Sequence, residues 1–232
     1  MVLLGVIVNT LAIILGAGLG QIFSRINEQM KTTVMQVIGL AVLFLGIEMA
    51  FSSSNFVLVL FSLVIGASLG EWFHLEERLE RLGSWLEAKV GQRNGNIAKA
   101  FVTTTLIYCV GAMAVVGSLN SGLRLDHDLL YTKSLLDGFT AIIFSSTLGI
   151  GVVFSSIPVF IYQGTLALLA TQINLLFTSD LINLIVSDLT ATGGILIMAI
   201  GLNILELTNI KVGNLLPALL VVILLSGAFY SF

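Results

Sequence analysis

Charge is what this chain has least of. Asp and Glu total 13 and Lys and Arg 10 in 232 residues, against 57% hydrophobic residues, and mean hydropathy is +1.06. A soluble fold of this length cannot hide so much apolar surface, so water is excluded as its main solvent. A bilayer needs roughly 20 apolar residues per spanning helix, which leaves room for about eight crossings. Basic runs are also missing, and a net charge of −3 is too small to attract nucleic acid or an acidic partner. Cys109 is the single cysteine, which rules out a disulfide framework or a thiolate metal cluster. The N-terminus, Met1-Val2-Leu3-Leu4-Gly5, has no positive n-region and reads as a retained first helix. No Walker loop, dinucleotide fingerprint, zinc spacing or nucleophile elbow is present, and His74 and His127 stand alone. Neither an intramembrane enzyme nor a cofactor is expected.

What is present is a series of apolar stretches, expected as an all-α polytopic membrane bundle forming one transmembrane domain over residues 1–232. Spans are predicted at 2–23, 32–52, 55–73, 98–119, 132–154, 157–178, 182–205 and 212–231. Ser52-Ser53-Ser54-Asn55 and Thr178-Ser179-Asp180 make tight hairpins. At Ser155-Ser156-Ile157-Pro158 the proline either opens a new helix or kinks a long one. Arg25 and Lys31, then Arg78, Arg81, Lys89, Arg93 and Lys99, then Lys211 all fall in loops on one side. Positive residues favour the cytoplasmic side, which places both termini outside, with Arg124, Asp126, His127 and Asp128 in an outer loop. Between Glu71 and Asn96, Trp72, Leu75, Leu79, Leu82 and Leu86 lie opposite Glu76, Glu77, Glu80, Arg81 and Glu87. This is an amphipathic helix at about 71–90, suited to the membrane interface, an oligomer contact or a regulatory lever, with Gly91 and Gly95 as its exit.

An inverted repeat of spans 1–3 and 6–8 is suggested by one gapless match. Gly39-Leu40-Ala41-Val42-Leu43-Phe44-Leu45-Gly46-Ile47-Glu48 aligns with Gly194-Ile195-Leu196-Ile197-Met198-Ala199-Ile200-Gly201-Leu202-Asn203. Asn55 then matches Asn214 after a short insertion, and an odd separation of five spans inverts one copy against the other.

A charged side chain near the bilayer centre costs several kcal/mol, so each needs a partner, a water-filled cavity or a function. The candidates are Glu48 in span two, Lys133 and Asp137 in span five, and Asp188 and Glu206 in span seven, joined by the polar Asn9, Gln36, Gln163, Asn203 and Asn214. Lys133 and Asp137 are four apart and share a helix face. They either neutralise each other, with Lys133 snorkelling outward, or make Asp137 a cation or proton site tuned by the ammonium. Glu48 near the end of its span is open to simple solvation. Asp188 sits in Ser187-Asp188-Leu189-Thr190-Ala191-Thr192-Gly193-Gly194, a composition that suits either a broken, cation-coordinating helix with Thr192 as a ligand or a packing seam. Small residues four apart, as in Gly16-Ala17-Gly18-Leu19-Gly20 and Gly66-Ala67-Ser68-Leu69-Gly70, argue for close helix packing. The expected site gathers Asp188, Asn203, Asp137 and Gln163, with Glu48, Lys133 and Thr192 contributing, and the bound species is a small ion or solute. A transporter or channel, most simply ion-coupled and secondary, is the leading expectation. A membrane scaffold or sensor acting through the amphipathic helix is its rival, and a homo-oligomer is compatible with either.

Several strings together resemble a known bacterial group: Gly66 through Glu71, Lys133-Ser134-Leu135-Leu136-Asp137-Gly138-Phe139, Gly149-Ile150-Gly151 with Tyr162-Gln163-Gly164, and Thr192-Gly193-Gly194 through Asn203 to Asn214-Leu215-Leu216-Pro217. The group is domain of unknown function 554, the YqgA-like membrane proteins, and the similarity covers the whole chain. The resemblance implies a bacterial inner-membrane location and brings no activity or site residues with it.

Overall fold

A computed structural model describes residues 1–22, 28–90 and 97–230. Arg25, Arg93, Gly91 and Gly95 lie outside the described residues. The described chain is helical throughout. In order it forms α1 (Leu4–Ile22), α2 (Glu28–Ala50), α3 (Phe56–Trp72), α4 (Leu75–Val90), α5 (Ile97–Cys109), α6 (Ala112–Arg124), α7 (Asp128–Leu148), α8 (Gly151–Phe154), α9 (Ser156–Leu168), α10 (Ala170–Leu176), α11 (Ser179–Ile204) and α12 (Pro217–Tyr230), with a 3-10 turn at Val212–Leu215 before the last. Five helical stretches are long and apolar enough to cross a membrane, and up to seven if each of two bent pairs is one span. The 21-residue α7 is not among them, because Asp128, Lys133 and Asp137 dilute its apolar character.

The chain divides into two compact units. The first comprises Met1–Asn27 with Arg81–Leu176, the second Glu28–Glu80 with Phe177–Phe232.

In the first unit α1 packs along α7, with Gly5 against Leu130, Gly16 against Gly138 and Gly20 against Ile142 and Ser145. Residue numbers rise together along both helices, so the two run parallel. The glycine stripe expected to serve packing does so, since a Cβ at Gly16 or Gly20 would meet carbonyl oxygens of α7. Two interruptions were not visible as spans. The chain bends by 59° between α5 and α6, where Gly111 takes a φ of 137°. After α7 it turns at Gly149, with a φ of 91°. Both conformations favour glycine, which has no Cβ to clash. At Ser155–Pro158, where the sequence allows two readings, α9 starts at Ser156 just ahead of the proline, while the sharper turn lies earlier, at Gly149. Ser155 keeps helical dihedrals of −64° and −21°, and Pro158 sits in the first turn of α9, where its missing N–H leaves no intrahelical bond unmade.

In the second unit α2 packs antiparallel to α11. Gly39 faces Ile204 and Leu205, Gly46 faces Gly194 and Met198, and Gly201 faces Gly39 and Leu43. Helix α3 packs antiparallel to α12, with Gly66 against Ala218. The helices break at both predicted turns, and the helix that follows each is capped: the Asn55 carboxamide accepts from Leu58 N–H at 3.2 Å and the Thr178 hydroxyl from Leu181 N–H at 3.3 Å, caps worth about 1 kcal/mol apiece. The seventh span is not broken at its glycines. α11 continues through Gly193 and Gly194 for 26 residues, because the Gly194 Cα–H surface is what admits the α2 backbone at Gly46 and Ala50. The amphipathic helix begins later than its sequence pattern indicates. α3 runs to Trp72, His74 takes a φ of 52°, and α4 leaves at 62° to α3.

Candidate functional site

The buried charges of the first unit meet in one network. Asn9 comes from the second turn of α1, Lys133 and Asp137 from α7, and Gln163 from α9. Asn9 and Gln163 are fully buried, and Lys133 and Asp137 are 7% and 5% exposed. The i,i+4 spacing brings Lys133 Nζ to 2.9 Å from Asp137 Oδ1. The second carboxylate oxygen accepts from Asn9 Nδ2 at 3.1 Å, and the same amide nitrogen donates to Gln163 Oε1 at 3.2 Å. One hydrogen-bonded chain therefore joins three helices.

That chain is incomplete. Asn9 Oδ1 and Gln163 Nε2 are buried with no hydrogen-bond partner, as is the hydroxyl of Tyr108. Tyr108 occupies the last turn of α5, just before the bend, within electrostatic reach of Asp137. Thr140 faces its hydroxyl and donates its own proton to carbonyls of its own helix, Leu136 or Asp137, but the phenol makes no hydrogen bond of good geometry. Buried polar atoms without partners cost about 1–3 kcal/mol each, which makes several at one place a departure from ordinary packing.

A second buried carboxylate organises the other unit. Asp188, fully buried, accepts from Ser53 Oγ at 2.5 Å and from Ser226 Oγ at 2.7 Å. Ser53 lies in the α2–α3 turn and Ser226 in α12, so Asp188 ties both to α11 at one end of the unit. Its oxygens have donors, and Thr192, expected as a ligand, turns its hydroxyl back onto the Asp188 carbonyl at 2.8 Å. These bonds tie α11 to the α2–α3 turn and to α12.

Asn203 is not at this centre. Fifteen residues along α11 place it about 22 Å from Asp188 at 1.5 Å per residue. It instead holds the turn after α11, donating to the Ile210 carbonyl at 2.7 Å and accepting from Ile210 N–H at 2.9 Å and Thr208 Oγ1 at 2.8 Å. Glu206 lies in that turn, beyond the helix that was expected to contain it, with a φ of 59°. Glu48 is exposed.

At this same end a clasp joins α3, α4 and the 3-10 turn. Asn214 Oδ1 accepts from Glu76 N–H at 2.8 Å, capping α4, while Glu76 Oε2 accepts from Gly213 N–H at 2.6 Å. Asn214 Nδ2 donates to Glu71 Oε2 at 2.5 Å, and Lys211 reaches Glu71 at 3.5 Å. Burial raises the Glu76 carboxyl above its ordinary value, more than the Gly213 N–H lowers it, and the nearby Glu80 charge adds to the rise.

The sequence pointed to Lys133, Asp137 and Gln163 but gave no sign that Asn9 links them, since the bonded residues are 128 and 154 apart. Tyr108, Ser53, Ser226, Glu71 and Glu76 were missed as participants. A lone serine inside the otherwise apolar α12 is the one signal that could have flagged Ser226. Among the described residues no group of three or more His, Cys, Asp or Glu is placed to hold a metal ion.

No solved structure matches the chain. It is 34% identical over 222 residues to the uncharacterized membrane protein YdfK of Bacillus subtilis (strain 168), covering 94% of this chain and 93% of that protein. It is also 32% identical over 232 residues to the uncharacterized protein YqgA of Escherichia coli (strain K12), covering 97% of each. The profile of a protein family of unknown function, DUF554, matches residues 4–227. With these matches running nearly end to end, and with helices apolar enough to cross a bilayer, the chain belongs to the DUF554 family of membrane proteins.

Proposed function

We propose that the protein is a secondary transporter or channel for a small solute in a bacterial inner membrane, with Asn9, Lys133, Asp137 and Gln163 at its binding site. The observation that carries this reading is the unfinished network: a buried ion pair and two buried amides on three helices, with Asn9 Oδ1 and Gln163 Nε2 unpartnered. A purely structural network would gain by closing itself. The bend at Gly111, three residues after Tyr108, supports the reading, because interrupted helices commonly flank transporter sites.

In this reading the chain crosses eight times, with α5–α6 as a bent crossing, α8, α9 and α10 together as another crossing, α7 as a polar one, and both termini outside. The neighbour directions inside each unit are compatible with that count: spans one and five are parallel, two and seven antiparallel. An inverted repeat is supported by the α2–α11 seam. The gapless match equates Gly39 with Gly194 and Gly46 with Gly201, and a two-fold relation requires Gly39 to face Gly201 and Gly46 to face Gly194. Those are the observed neighbours.

Purified protein in proteoliposomes is expected to accelerate solute flux above protein-free vesicles, and Asp137→Asn to reduce it while the protein remains folded. Full flux in Asp137→Asn, with the variant folded, would remove the network from the transport path.

A further inference from the structure

Resting on the transport reading above, we infer that the species recognised at the unit 1 network is an uncharged solute bearing a hydrogen-bond donor beside an acceptor, such as a carboxamide, and not an alkali cation. The reasoning starts from charge. Lys133 Nζ and Asp137 Oδ1 lie 2.9 Å apart, and the pair has no net charge wherever the shared proton sits. Among the four residues of the network no other is ionisable. A cation entering here would meet the Lys133 ammonium at the only carboxylate available, so the site offers it no net attraction.

Hydrogen-bond polarity then fixes what the site does offer. Asp137 Oδ2 is an acceptor, so the Asn9 nitrogen must face it. The same nitrogen faces Gln163, so Gln163 must present its oxygen there. A flip of either amide would set donor against donor or acceptor against acceptor. What the two amides have left over is therefore determined: one acceptor, Asn9 Oδ1, and one donor, Gln163 Nε2, both fully buried and both without any partner. The Tyr108 hydroxyl, also unmatched, adds a group able to play either part. A carboxamide carries an N–H for the acceptor and a C=O for the donor. A sodium or potassium ion satisfies the acceptor and leaves the donor facing a positive charge. Desolvated sites built around fixed donors and acceptors discriminate strongly against partners that leave one unmade.

The test uses the full chain in proteoliposomes, with osmotic shrinkage and reswelling followed by light scattering in acetamide or urea, and sodium and potassium fluxes measured in parallel. Reswelling in acetamide or urea is expected to exceed that of empty vesicles, with alkali-cation flux at background. Gln163→Met, close in length and volume, removes the donor and is expected to slow amide entry roughly tenfold, the equivalent of one buried hydrogen bond. Amide flux unchanged in a folded Gln163→Met overturns the assignment of the recognising atoms. Alkali-cation flux that is lost in Asp137→Asn, with amide flux at background, overturns the neutral-solute inference and leaves transport standing. A rise in water permeability alone also overturns it. Absence of flux for amides, alkali cations and water together overturns the transport reading itself.

Discussion

Removing both members of the Lys133–Asp137 pair should harm the fold less than removing either one. Both side chains are buried, at 8% and 7% exposure, and 2.9 Å apart. Lys133→Met leaves the carboxylate with Asn9 as its one remaining partner among the described residues, and Asp137→Leu leaves an ammonium buried without its counter-ion. Stranding one charge in this way costs about 3–5 kcal/mol. The double variant has no charge to desolvate, and replacing a buried pair by apolar side chains of similar volume is neutral or stabilising by about 1–4 kcal/mol. Against this, Asn9 Nδ2 loses its carboxylate and keeps only Gln163, a loss of about 1–3 kcal/mol. The double variant should therefore stand within roughly 2–3 kcal/mol of the parent and above both single variants. Equilibrium unfolding in mixed detergent micelles, read by circular dichroism for all four proteins, checks the ordering. A double variant that loses the sum of the two single losses would refute the claim that the charges compensate each other. A stable double variant would also allow the proposed transport to be assayed apart from the pair's part in stability.

Three further outcomes follow from the other contacts. A Cβ at Gly194 would lie 2.6 Å from Ala50 N and 2.7 Å from the Gly46 carbonyl oxygen, so Gly194→Ala should destabilise by about 1–3 kcal/mol. Gly18→Ala, which meets nothing within 4 Å, should be neutral or gain up to about 1 kcal/mol; equal melting temperatures for the two would contradict the seam. Ser226→Ala removes one of two hydroxyls from the buried Asp188 and should cost about 1.5–3 kcal/mol in the same unfolding assay, with Ser53→Ala similar, and an unchanged midpoint for both would count against Asp188 as the tie. The raised Glu76 carboxyl sets the sign of a pH effect: folding favours its protonated form, so its contribution is greatest below the ordinary value of 4.5 and fades as pH rises through the folded value above it. Glu76→Gln keeps an acceptor for Gly213 N–H and should flatten that part of the stability profile; a profile identical to the parent's would refute the assignment.

Local features were the legible ones. The Lys133–Asp137 pair follows from helical spacing, and the Asn55 and Thr178 caps follow from side chains able to accept a backbone N–H at a helix start. The glycine stripes announced close packing without naming a partner, since any flat face satisfies the pattern. What escaped the sequence were the places where chemistry depends on distant segments. Asn9 gains its role only when α1 lies beside α7 and α9. The small hydroxyl neighbours of Asp188 stood out in the sequence, whereas its actual donors, Ser53 in the α2–α3 turn and Ser226 in α12, lie far along the chain. Asn203 stood out as a polar residue in an apolar run, and its carboxamide proves to brace a turn. The positive-φ breaks at Gly111 and Gly149 could not be told from the many glycines that sit quietly inside helices.

The parallel pairing of α1 with α7 also imposes an order on biogenesis. Asn9 is made before its acceptor Asp137, which follows 128 residues later. At 5–20 residues per second that interval is roughly 6–26 s. Throughout it α1 has a polar amide and a glycine face with no α7 to cover them, in a bilayer that satisfies neither. Insertion of this chain must therefore keep α1 from wrong partners until α7 is made, and Asn9 is the residue on which a failure to do so would first be felt.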